Sequence, residues 1–130
     1  MGPRKTKIFQ APQIAPANQI LSKALIRMSE ELALNRQELC ATTGMSEASM
    51  SRFFDHKRFI QAETKEGEIA VLLLRIYRSL DALFGGNKEP ARLWFRAYNH
   101  HLNGIPAELI QTISGLTEVT LYLDAIRGKI

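Results

Sequence analysis

The apolar residues of this chain recur at three- and four-residue steps almost throughout, and this spacing limits the available folds more than any other feature. Such steps place side chains along one face of an α-helix, whereas a half-buried strand needs strict alternation, which no segment shows convincingly. Helix-starting and helix-ending residues separate the segments: Asn35, Gly44, Ser46, Thr64, Gly85, Gly86, Asn87, Gly104, Pro106 and Gly115. We therefore predict an all-α protein.

The helices predicted from this pattern cover about 18–32, 35–44, 46–54, 65–84, 87–104, 106–114 and 116–127. Ile20 is expected on the inward stripe of the first helix. In the fifth, the residues expected to pack inward are Leu93, Trp94, Ala97 and Tyr98. Asn99 is expected to bond free carbonyls near a helix end, and Gly115 is expected to end the short sixth helix.

The composition is that of a small globular protein, with 130 residues of which 45% are apolar and 23% charged. The single cysteine, Cys40, cannot form an internal disulfide, which favours a reducing cytoplasm. The longest apolar run, 69–74, is far shorter than the roughly 20 residues of a membrane span, and no secretory signal is recognised. We expect a cytoplasmic protein without membrane contact.

The net charge of +4 is concentrated in one half of the chain. Residues 1–62 hold nine Lys or Arg and five Asp or Glu, whereas residues 63–130 hold eight of each. A basic half beside a neutral half suggests a nucleic-acid partner for the first and a different partner for the second. The alternative is that the charge only aids solubility.

Residues 36–55 have the composition of a helix-turn-helix. The small Cys40 permits close helix approach, Gly44 suits a left-handed turn, and Met45, Met50 and Phe53 are expected to fill the space beneath the crossing. The third helix then presents a polar outer face that suits a DNA major groove.

Candidate DNA contacts follow from this placement. Arg52 is the best candidate for a base contact, because a guanidinium can pair bidentately with guanine. Lys57 and Arg58 suit the phosphate backbone, although Glu47 and Asp55 are unfavourable near DNA. The full candidate set is Arg36, Gln37, Ser46, Glu47, Ser49, Ser51, Arg52, Lys57 and Arg58. The alternative is that these helices merely pack.

The C-terminal part resembles the Xre/MbcA/ParS antitoxins over about residues 65–127, and the preceding Xre-type helix-turn-helix extends the resemblance. The pattern that carries it is Trp94-Phe95, Asn99, Leu102, Gly104, Pro106, Glu108-Leu109-Ile110, Gly115-Leu116, Val119 and Tyr122-Leu123. The resemblance implies an antitoxin that binds a RES-domain toxin, which consumes NAD or transfers ADP-ribose from it, and blocks the toxin's NAD pocket. It also implies a homodimer, and repression of the antitoxin's own promoter DNA.

The segment that would fill the toxin's pocket is Arg127, Gly128, Lys129 and Ile130, because a flexible glycine, cations and a free carboxylate suit a dinucleotide site. The alternative is an ordinary frayed terminus. The adjacent His100 and His101 point in different directions on a helix, so no metal site is expected. We predict neither a cofactor nor an enzymatic activity.

The expected organisation is a flexible tail over 1–17, a helix-turn-helix over 18–62 and a toxin-binding, dimerising domain over 65–130. Two other readings stay open. One is a stand-alone dimeric helix-turn-helix transcription regulator without a toxin partner. The other is an adaptor whose helix-turn-helix serves only for packing.

Overall fold

A computed structural model describes residues 15–128; residues 1–14, and with them most of the predicted tail, lie outside it. The described region is helical, with one isolated bridge between Asn99 and Gly104, so the all-α prediction is confirmed. The helices are α1 Pro16–Glu31, α2 Arg36–Thr43, α3 Glu47–Phe54, α4 Lys65–Leu83, α5 Lys88–Arg96, α6 Pro106–Leu109 and α7 Ile113–Arg127. No helix in this region is long and apolar enough to cross a membrane.

Local capping contacts define the ends of α2 and the start of α3. The Asn35 Oδ1 accepts from the Glu38 amide at 2.8 Å, and the Glu38 Oε1 accepts from the Asn35 amide at 2.9 Å. This reciprocal pair satisfies two backbone donors that the helix itself cannot satisfy. Gly44 ends α2 with φ of 80°, and the Ser46 hydroxyl accepts from the Ser49 amide at 3.1 Å. All four predicted roles are confirmed.

The α2–α3 crossing is filled by the three side chains predicted for it. Met45, Met50 and Phe53 are all buried. Behind them, α1 holds the segment that follows α3, because the Ser22 hydroxyl accepts from the Ile60 amide at 2.9 Å. Asn18 does the same for the Ala62 amide. The helix-turn-helix is therefore fixed at both its turn and its exit.

The long helix α4 joins the two halves, since it packs against α1 and α7. The buried apolar residues form one continuous core from α1 to α7. The Tyr77 hydroxyl of α4 donates to the Glu31 carboxylate of α1 at 2.5 Å. Burial and this carboxylate raise the pKa of Tyr77 to about 12, so the phenol remains a donor at neutral pH.

The predicted inward face of α5 is wrong. Leu93 is 67% exposed and Tyr98 54% exposed, Ala97 is also exposed, and Trp94 is half-buried. The helix buries Ala91 and Phe95 instead. Because apolar residues in this stretch occupy nearly every helical direction, spacing alone could not select the buried one. In α1, Ile20 is likewise 68% exposed rather than inward.

Two further helix-end predictions are wrong. Helix α5 ends at Arg96, and the loop beyond it is closed by the Asn99 side chain, whose Oδ1 accepts from the His101 and Leu102 amides at 2.9 and 3.0 Å. Asn99 thus binds amides rather than carbonyls. Gly115 does not end a helix but lies in the first turn of α7, where a Cβ would come within 1.9 Å of the Leu109 carbonyl oxygen. Close packing of α6 on α7 therefore requires glycine.

Candidate functional site

The outer face of α3 presents short polar side chains to solvent. Ser46, Glu47, Ser51 and Arg52 are exposed, whereas Ser49 is half-buried. No large apolar side chain is among them, so the face offers hydrogen-bonding groups without bulk. A helix of this kind can lie close to base edges in a major groove.

The start of α2 lies beside this face. Arg36 and Gln37 are exposed, and the Arg36 guanidinium lies 4.6 Å from the centre of the Phe54 ring. A cation over an aromatic face is held in place while its N–H groups remain free for other acceptors. A groove of about 220 Å³ separates the helices; it is lined by Arg36, Gln37, Cys40, Glu47, Met50 and Ser51. Burial, and then the charge of Glu47, raise the pKa of the Cys40 thiol, so this thiol is neutral.

The two cations after α3 have different surroundings. Lys57 is exposed, and its amide donates to the Arg52 carbonyl at 2.8 Å, which fixes the chain as it leaves the helix. Arg58 is half-buried and pairs with Glu66 of α4, with an Nη2–Oε1 distance of 2.8 Å. A phosphate contact by Arg58 would have to share its guanidinium with this carboxylate. Lys57 is the more available of the two.

A second surface, in the C-terminal part, consists of stacked rings that we call the aromatic face: Trp94, His101 and Tyr122. The Trp94 and Tyr122 rings are stacked with their centres 6.4 Å apart, and the His101 and Tyr122 rings are stacked at 5.8 Å. Trp94 and Tyr122 are half-buried and His101 is exposed. Large rings left partly in water are typical of protein contacts rather than of a solvated surface.

Other large apolar side chains of the same region are also left in solvent. Leu93, Ile113 and Leu121 are each at least 60% exposed. Sequence reasoning missed this surface because it assigned Leu93 and Trp94 to the core. The available signal was the excess of apolar residues in 93–98 over what one face of a short helix can bury.

The predicted pocket-filling segment begins at the end of α7. Arg127 is exposed, and its Nη1 donates to the buried Ser79 hydroxyl of α4 at 3.4 Å. Gly128 follows directly after the helix. Lys129 and Ile130 lie outside the described residues. The structure therefore places Arg127 and Gly128 at the end of α7, with Arg127 against α4. The candidate DNA-binding residues lie in a different part of the sequence, on α2, on α3 and just after α3.

Within residues 15–128, no three His, Cys, Asp or Glu side chains are grouped so that they could hold a metal ion. The perturbed carboxylates, Glu31 and Glu38, are engaged with neighbouring side chains of the fold.

Comparison with known families identifies the C-terminal part. Residues 79–129 match the family model described as the Antitoxin Xre/MbcA/ParS C-terminal toxin-binding domain. This match covers the aromatic face and somewhat less than half of the chain. No curated protein matches the chain. The resemblance seen in the sequence is confirmed over this range: residues 79–129 are similar to the C-terminal toxin-binding domain of the Xre/MbcA/ParS antitoxins.

Proposed function

We propose that this antitoxin neutralises a RES-domain toxin by covering its NAD pocket, and that it represses its own promoter through the helix-turn-helix. The observation that carries the first part is the aromatic face inside the family-matched domain. Rings that are stacked on each other lose little conformational freedom when a partner covers them. A protein partner that covers them also removes their apolar surface from water, which is favourable.

The segment Arg127–Ile130 is the part that would enter the pocket. It begins with Arg127, the last residue of α7, and contains two cations, Arg127 and Lys129. A pocket that binds NAD must accommodate a pyrophosphate, and the segment would occupy that space in its place. The aromatic face supplies affinity in this scheme, and the segment supplies inhibition.

The test is a measurement of NAD consumption by the RES-domain toxin, with the antitoxin added in increasing amounts. The full chain is expected to abolish NAD consumption near equal molar amounts. Deletion of Lys129 and Ile130 is expected to restore consumption while the two proteins still co-elute in size-exclusion chromatography. The matched control is Lys88→Ala at the start of α5, which removes one exposed cation elsewhere in the domain. Full inhibition by the truncated chain would exclude the pocket-filling role.

The second part of the proposal is supported by the helix-turn-helix surface. Arg36, Arg52 and Lys57 are exposed there, with Glu47 and Asp55 as the opposing charges. The test is a gel shift with the DNA immediately upstream of the antitoxin's own coding sequence, at several salt concentrations. Binding that weakens steeply with salt is expected, because phosphate contacts release counterions. No binding at low salt would leave toxin neutralisation as the sole function, with the helix-turn-helix as a packing element.

The assembly is proposed to be a homodimer, with two antitoxin chains in the toxin complex. Light scattering after size exclusion measures this directly, for the antitoxin alone and with its toxin. Failure of any small NAD-consuming protein to co-purify with the tagged antitoxin from its host would favour a stand-alone transcription regulator instead.

A further inference from the structure

Helix α5 of the toxin-binding domain donates hydrogen bonds back to the end of α1. The Arg92 Nε donates to the Glu31 carbonyl at 2.6 Å, and its Nη2 donates to the Glu30 carbonyl at 3.2 Å. The Arg96 Nη2 donates to the Ala33 carbonyl at 2.6 Å. The last carbonyls of a helix have no partner within the helix. Helix α5 therefore supplies a donor to the Glu31 carbonyl and a second donor to the Glu30 carbonyl, which also accepts from the Ala33 amide at 3.3 Å.

The residue that receives one of these bonds has a strained backbone. Ala33 has φ of 57°, a left-handed conformation that is unfavourable for a residue with a Cβ. The turn it makes returns the Leu34 amide to the Ser29 carbonyl at 2.8 Å and directs the chain into α2. Arg96 therefore stabilises the conformation that sets the angle between α1 and α2.

Arg96 also binds the carboxylate that caps α2. Its guanidinium reaches both Glu38 oxygens, with an Nη2–Oε1 distance of 2.9 Å. The same Oε1 accepts from the Asn35 amide at 2.9 Å. The hydrogen bond from Arg96 is the main reason that the pKa of Glu38 is lowered, so this carboxylate is charged at neutral pH. One guanidinium thus holds both the turn before α2 and the cap of α2.

We propose that Arg96, assisted by Arg92, is a positioning residue for DNA recognition, acting through Glu38 and the Ala33 carbonyl. The start of α2 bears Arg36 and Gln37, and the Gly44 turn with the buried Met50 transmits its orientation to α3. The toxin-binding domain would then determine how well the helix-turn-helix fits its site. This inference rests on the proposed DNA-binding function.

The experiment uses the full chain and the upstream DNA fragment as probe, with variants Arg96→Met, Arg96→Lys and Glu38→Gln. Arg96→Met is expected to raise the dissociation constant about tenfold, the equivalent of one charge-assisted hydrogen bond and a cap. Arg96→Lys keeps the positive charge but lacks the planar guanidinium that reaches both Glu38 oxygens, so it should give a smaller loss of DNA affinity. The Arg96→Met, Glu38→Gln double variant should bind no worse than Arg96→Met alone, because both act through one contact.

The control variant is Arg78→Met on α4, an exposed arginine that has no hydrogen bond to α2 among residues 15–128. It is expected to leave DNA affinity unchanged. All measurements are made well below the temperature at which each variant unfolds. The salt slope, which is the slope of the logarithm of the binding constant against the logarithm of the salt concentration, is recorded. A positioning residue leaves this slope unchanged, whereas a phosphate contact reduces it by about one when removed.

Two DNA results would overturn the proposal: wild-type affinity in Arg96→Met, or a reduced salt slope. Hydrogen exchange in the free protein provides a test that needs no DNA. Arg96→Met should speed exchange of the Asn35 and Glu38 amides about tenfold while the α7 amides are unchanged. If the wild type binds no DNA, the proposed promoter function fails on its own, and unchanged exchange at Asn35 and Glu38 separately excludes positioning by Arg96.

Discussion

The helix-turn-helix surface and the aromatic face are built from opposite kinds of side chain. The first presents serines and cations on α2 and α3, and the second presents Trp94, His101 and Tyr122 across α5, α7 and the loop between α5 and α6. Short polar groups lose little by staying hydrated, so they suit a wet, charged partner such as DNA. Stacked rings are stabilised most when water leaves them, so they suit a protein. The two surfaces should therefore respond to different perturbations.

The largest effect is expected from Gly115→Ala, which tests whether the toxin-binding half depends on close packing of α6 and α7. A Cβ 1.9 Å from the Leu109 carbonyl oxygen cannot be accommodated without moving backbone. We expect the free energy of unfolding to fall by about 3 kcal/mol or more, and the unfolding midpoint temperature to fall by at least about 10 °C. Gly128→Ala is the control, since its Cβ would meet only ordinary contacts at 3.5 Å. Equal midpoints for the two variants, measured by calorimetry, would contradict this account.

The next effect separates the two surfaces by toxin affinity. Tyr122→Ala removes the ring on which both Trp94 and His101 stack, so toxin affinity should fall about 30- to 100-fold, as for a central interface aromatic. DNA affinity should be unchanged. Ile20→Ala is the matched control, because it removes an exposed apolar side chain outside the matched domain. Calorimetric titration with the toxin that gave equal losses for both variants would exclude the aromatic face as the contact.

The converse prediction concerns DNA alone. Arg52→Ala should weaken binding to the preferred site about tenfold and reduce discrimination between sequences, as the loss of one bidentate base contact does. Lys57→Ala should weaken binding to all DNA sequences alike and lower the salt slope by about one. Neither change should alter toxin binding. Gel shifts with specific and random DNA distinguish the two roles, and identical effects of the two variants would contradict the assignment.

The smallest effect is the pH dependence that the contact between Glu38 of α2 and Arg96 of α5 gives to the free energy of unfolding. The pKa of Glu38 is lowered in the folded state, chiefly by the hydrogen bond from Arg96. Its contribution to stability is therefore complete above the ordinary carboxyl value of 4.5 and is lost as the pH falls through the lowered value. Because both side chains are partly exposed, we expect about 1 kcal/mol or less. Urea unfolding should give the wild type a higher free energy of unfolding than Glu38→Gln at pH 7, and the difference should shrink as the pH falls below 4.5.

Sequence reasoning succeeded where the deciding contacts are local. Asn35, Glu38, Gly44 and Ser46 each act within four residues of themselves, so their spacing was enough to place the helix-turn-helix. The all-α class followed from periodicity for the same reason.

It failed where a distant element decides. The buried direction of α5 depends on what lies against Phe95, and the need for Gly115 depends on the Leu109 carbonyl of another helix. The hydrogen bonds from Arg92 and Arg96 to the end of α1 and to Ala33 left no signal, since their acceptors are backbone carbonyls, which every residue has. The charge of Glu38 was a sign that this residue has a partner beyond the capping box, but that partner, Arg96, is 58 residues away in the sequence.

The separation of 58 to 63 residues between these arginines and their acceptors has a consequence for biosynthesis. During translation the end of α1 and the start of α2 are synthesised before Arg92 and Arg96 are added. At a synthesis rate of about 5–20 residues per second, the junction of α1 and α2 waits several seconds for its hydrogen-bond donors. Loop closure of this length also comes late in folding. The junction of α1 and α2 therefore lacks these hydrogen-bond donors until α5 has been made.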